Sequence, residues 1–131
     1  MLITKPKALA LLEQIVNEYG ADHISDRCTY TLWDSNKFEY TRTPNCIVGQ
    51  VLAKVDPAII DRIVEDKEQS RGADNVLTDK AYVGDVRFSA PAVKVLNVAQ
   101  ILQDGRGWDG EFGGSSDNMP WGQVLENVKK L

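Results

Sequence analysis

Cys28-Thr29-Tyr30-Thr31-Leu32-Trp33-Asp34-Ser35-Asn36-Lys37-Phe38-Glu39-Tyr40-Thr41 is the stretch that separates this chain from an all-helical protein. Cys28, Tyr30 and Leu32 alternate with Thr29, Thr31 and Trp33, which is the period of two that a strand requires. Asp34, Ser35 and Asn36 favour a turn, because their short polar side chains bond to the local backbone. Phe38, Glu39, Tyr40 and Thr41 then resume the alternation. The stretch reads as a β-hairpin over about residues 27–42, with Arg27 opening its first strand. Two strands alone are marginal in water, so a helix has to cover one face.

Outward from the hairpin, the period changes to that of helices. On the N-terminal side Leu9, Leu12, Ile15, Val16 and Tyr19 form one stripe, with Thr4 as cap, Pro6 in the first turn and Gly20 as the stop. On the C-terminal side Thr43-Pro44 and Asp56-Pro57 each place a capping side chain before a proline. They predict helices over 43–55 and 57–69. Gly49 inside the first of these costs about 1 kcal/mol against alanine, which points to a close approach by another backbone. Residues 70–80 read as a polar surface loop. Residues 82–88 fit a short strand at Val86 and Phe88, weakened by Gly84 and Asp85. Ser89 and Pro91 open a further helix that Gly105 ends, despite Val93, Val95 and Val98. A glycine-rich loop over 105–116 leads to a last helix over 119–131. The expectation is a single α+β domain over 1–131: an N-terminal helix, the hairpin, then four mostly short helices packed around it.

The 131 residues are 43% hydrophobic and 26% charged, enough to bury a core without disulfide staples. A formal charge of -4 argues against nucleic acid and against electrostatic attachment to anionic lipid. Glu13 and Gln14 interrupt the apolar run after Lys5-Pro6-Lys7, so no signal peptide or membrane span is expected. The reading is cytoplasmic, with Cys28 and Cys46 as free thiols.

Candidate chemistry is sparse. Gly105-Arg106-Gly107-Trp108-Asp109-Gly110 has the spacing of a dinucleotide fingerprint, but it follows a helix and leads into more glycine. No cofactor is therefore expected. Asp104, Asp109, Glu111 and Asp117 lack the alternating register of a calcium loop, and two cysteines with one histidine fall short of a structural zinc site. No metal is expected either. The helices over 43–55 and 57–69 could imitate a helix-turn-helix, yet the second presents Asp61, Glu65, Asp66 and Glu68 against Arg62 and Lys67.

Two constellations stay in play. Cys46 falls in the first turn of a predicted helix, whose N-terminus can lower a thiol pKa, and His23 is the one histidine that could act as its base. That is the enzymatic alternative; its counterpart is a buried structural thiol. Trp108, Phe112 and Trp121 cluster around the glycine-rich loop, either as anchors for a protein partner or as a lid folded over the core. The loop over 105–116 could also close over a small molecule.

Thr43-Pro44-Asn45-Cys46-Ile47-Val48-Gly49 with Val51-Leu52, and Ala99-Gln100 followed by Gln103-Asp104-Gly105 and Trp108, carry a family resemblance. In these residues the chain resembles small uncharacterised proteins of actinobacteria and their phages. Residues 110–118 depart from that pattern, in which the tryptophan leads more directly into the last helix. The resemblance implies no catalytic residues. Together these readings favour a non-enzymatic cytoplasmic accessory protein, phage-encoded in kind, acting by protein–protein contact through 105–116 and 119–131. The partner's identity stays open, as does the choice between monomer and homodimer.

Overall fold

The computed structural model of the protein describes residues 1–25, 29–105 and 118–131. Leu2–Ile3 (β1) runs into Lys5–Tyr19 (α1), which buries Ala8, Leu11, Leu12, Ile15 and Val16 and turns Glu13, Gln14, Asn17 and Glu18 to solvent. Gly20 stops α1 at φ 96°, a left-handed backbone that only glycine adopts freely, and its N–H reaches Val16 O.

The hairpin follows as Thr31–Asp34 (β2) and Glu39–Pro44 (β3), paired antiparallel with Trp33 opposite Tyr40 and Asp34 opposite Glu39. Arg27 and Cys28 lie outside the described residues. The register shifts between Thr31 and Trp33. That irregularity breaks the simple alternation: adjacent Tyr30 and Thr31 are both buried, while Leu32 and Trp33 are both exposed. Leu32 therefore does not share an inward face with Tyr30.

Thr43-Pro44 ends a strand and does not open a helix. Asn45 N–H bonds to Tyr30 O at 2.9 Å and Cys46 N–H to Thr29 O at 3.2 Å, so pairing with the first arm continues past the proline. The helix Ile47–Val55 (α2) starts only beyond it, with Cys46 Sγ accepting from Gly49 N–H. Pro57–Glu65 (α3) begins as expected, Asp56 capping Ala58 N–H, but ends sooner than residue 69.

The stretch read as a loop over 70–80 contains Ala73–Leu77 (α4), whose Ala73, Val76 and Leu77 are buried, and leads into Lys80–Val83 (α5) behind an Asp79 cap. One apolar turn among Asp, Asn and Gly was enough once α6 lay against it. Arg87–Phe88 (β4) pairs in parallel with β1, Leu2 opposite Arg87 and Ile3 opposite Phe88. Ala90–Gln103 (α6) starts at Ser89, which caps Ala92 N–H, and Trp121–Val128 (α7) closes the described chain. The architecture is α+β with an N-terminal helix and a hairpin. Six described helices follow the hairpin, α4 and α5 being the additions. One hydrophobic core joins them around α6, which packs against α1, α2, α4 and α7. No described helix is long and apolar enough to cross a membrane.

Candidate functional site

Cys46 occupies a helix N-terminus, but a closed one. Its side chain is fully buried, and burial pushes the thiol up to about 12, aided by the Asp104 carboxylate and opposed by the Gly49 and Val48 N–H groups and Gln100. Gln103, on the neighbouring α6, places Oε1 2.8 Å from Ile47 N–H and so occupies the next donor of α2. Its Nε2 donates to Asp104 Oδ1 at 2.6 Å, and Gln100 Nε2 donates to the same carboxylate at 3.0 Å. The first turn of α2 is thus capped from within and its thiol is protonated at neutral pH. His23 belongs to a different cluster, with ring centroids 5.2 Å from Tyr19 and 4.4 Å from Trp121.

Trp121 has no exposed surface. Its ring meets Tyr19 edge-on at 5.3 Å, while the Trp121 backbone N–H bonds to His23 O and Gly122 N–H to Ala21 O. The ring offered by the sequence as a contact anchor is therefore part of the core, holding α7 against the end of α1. Trp108 and Phe112 lie outside the described residues, as do Asp109, Glu111 and Asp117. Among the described residues no three His, Cys, Asp or Glu side chains converge as a metal site. Gln100 Oε1 and Trp121 Nε1 are buried without a hydrogen-bond partner there.

The hairpin presents the aromatic surface that the sequence reading did not single out. Trp33 and its cross-strand partner Tyr40 meet edge-on, centroids 4.9 Å apart, and Phe38 stands at 82° to Trp33 at 6.4 Å. Phe38 is 81% exposed, Leu32 43% and Trp33 38%. The turn beneath them is built by Asp34, whose Oδ1 accepts from Asn36 N–H at 2.9 Å and Lys37 N–H at 3.3 Å. That turn leaves Phe38 at φ 50°, a left-handed position where glycine or asparagine is the low-energy choice. A phenylalanine there costs about 1 kcal/mol or more, and its ring recovers little by burial. At the opposite end the hairpin is fastened: Arg42 bridges to Asp61 and Glu65 of α3, while Gln69 bonds both Thr31 N–H and Thr31 Oγ1.

The signal for this surface lay in the sequence as three large aromatics, Trp33, Phe38 and Tyr40, flanking a polar turn. No protein-family model, curated protein or solved structure matches this chain.

Proposed function

We propose that this protein is a non-enzymatic accessory protein of the cytoplasm, of the kind encoded by actinobacteria and their phages, and that it acts by protein–protein contact. The contact surface is the hairpin face of Trp33, Phe38 and Tyr40. One observation carries this reading: Phe38 is an exposed aromatic held at a strained backbone position, where its edge contact with Trp33 is the one ring contact that offsets the strain. Strain of that kind gathers where a side chain is needed for contact. The glycine-rich stretch with Trp108 and Phe112 is a second contact element on its composition alone. The net charge of -4 supports a protein partner over nucleic acid.

Phe38→Asn tests the reading cleanly, because asparagine suits the left-handed position and removes only the ring. Immobilised wild-type protein is expected to retain a host protein that Phe38→Asn releases, with the melting temperature of the variant unchanged or raised. Identical capture by the two proteins would remove the hairpin from the function.

A further inference from the structure

We infer that a further contact surface, independent of the hairpin, lies where α1 and α6 begin, and that it takes a short acidic segment of a protein partner with an apolar side chain among its carboxylates. The parallel pairing of β1 and β4 starts both helices at one pole of the molecule. α7 leaves the far end of α1 at Ala21 and His23, packs against both helices and finishes beside Lys5. An open groove of about 320 Å³ lies at this pole. Ala90, Pro91, Val95 and Leu131 make it apolar, and Lys5 and Lys94 complete its lining.

Charge selects the occupant. Lys5 and Lys7 occupy the first turn of α1, where a helix favours carboxylates, and neither α1 nor α6 has an acidic residue in its first turn. Lys129 and Lys130 follow α7 directly. Lys5 donates to Leu131 O, and Lys129 lies 3.6 Å from Glu126. Lys7, Lys94 and Lys130 are exposed, and among the described residues no ion pair engages them. α4 brings Asp74 only as far as Asn97, on the turn of α6 beyond the groove. A chain of net charge -4 thus carries a positive pole, whose field draws anionic groups to the groove.

Reach separates the possible anions. Lys7 and Lys130 are not part of the groove's lining, so a single small carboxylate seated in it would meet Lys94 alone among the three. An extended run of carboxylates meets all of them while an apolar side chain between them covers the groove. A nucleic acid or an anionic bilayer offers the same charge on a far larger scale. The remainder of a chain of net charge -4 repels such a body, whereas a short peptide spans this pole and no more.

The test is a titration of the full chain at low salt, followed by NMR shifts of its amides. The probe is an end-blocked peptide of one leucine between two pairs of glutamates. Saturable binding with Kd below about 1 mM is expected, with shifts at Lys5, Lys94 and Leu131. Lys94→Glu with Lys130→Glu should weaken it at least about tenfold at an unchanged melting temperature, because both side chains are exposed. Lys37→Glu with Lys80→Glu makes the same change in net charge away from the groove and should leave Kd within about twofold. Absence of saturation, equal binding of the glutamine analogue, or equal weakening by the two double variants overturns the inference. So does tighter binding of single-stranded DNA or phosphatidylserine vesicles that Lys94→Glu with Lys130→Glu abolishes. A dimer in low-salt sedimentation that the same variant abolishes overturns it too, since a second copy would then be the occupant. Phe38→Asn should bind the peptide as wild type does. Loss of binding there would move the site to the hairpin, so the two surfaces are tested separately.

Discussion

At the scale of single residues, Cys46 and Phe38 exchange the roles that residue type suggests. The cysteine sits at a helix N-terminus, where a thiolate would be favoured, yet burial outweighs the helix and holds the proton on. Its folded pKa lies near 12 against an ordinary 9.0, so the unfolded chain loses this proton first as pH rises. Stability contributed by the buried thiol is complete below pH 9 and declines between 9 and 12, by up to about 1.4 kcal/mol per pH unit. Denaturant titrations of wild type and Cys46→Ala should therefore converge as the pH is raised through that window, and parallel curves would contradict the burial. Native protein should also resist alkylation at Cys46 at pH 8. Phe38 behaves in the opposite sense. Phe38→Asn should hold stability or raise it by about 1 kcal/mol in the same assay, because the substitution relieves a left-handed phenylalanine.

At the scale of elements, caps followed by proline were legible when no strand competed for the backbone. Asp56-Pro57 and the Ser89 cap open α3 and α6 as their side chains predict. Thr43-Pro44 carries the same local signal and fails, because Asn45 and Cys46 bond back to Tyr30 and Thr29. The hairpin's turn was readable, but its register shift was not, since nothing in the alternation marks where one residue slips. For that reason the sequence could place Trp33 and Tyr40 on strands without revealing how far each faces solvent, and it put Phe38 in the second arm, where the structure has it end the turn before β3 begins at Glu39. Gly49 is where local and long-range reasoning agree. A β-carbon there would lie 2.4 Å from Tyr30 O, a backbone atom that cannot swing aside. Gly49→Ala should therefore destabilise by about 2–4 kcal/mol, overriding the roughly 1 kcal/mol gained in helix propensity. Gln103→Leu acts on the first turn of the same helix from α6. It strips the acceptor from Ile47 N–H and should cost about 1–3 kcal/mol, with faster hydrogen exchange at that amide.

At the scale of the whole molecule, the chain is closed by a contact no local pattern could announce. β1 and β4 have two residues each, with residues 4–86 between them; the alternation of Val86 and Phe88 hinted at β4, but nothing in Leu2-Ile3 marked it as the partner. Their parallel pairing sets α1 and α6 side by side, because each helix begins just after its strand. Ile3 is the pin of this closure: its side chain is buried, its carbonyl accepts Ser89 N–H at 2.9 Å, and Met1 O accepts Arg87 N–H at 2.9 Å. Ile3→Ala leaves every backbone bond possible and removes only the packing that holds the strands together. It should cost about 2–4 kcal/mol, in the range for a buried isoleucine. Hydrogen exchange distinguishes how that loss is distributed. If β1 closes the fold as a separable strap, protection at Arg87 and Ser89 falls further than at Asn45 and Cys46, whose donors are held by the hairpin. Equal loss at all four amides would instead mean that strap and hairpin unfold as one unit through α1, and the contact face on the hairpin would then share its stability with the closure at Ile3.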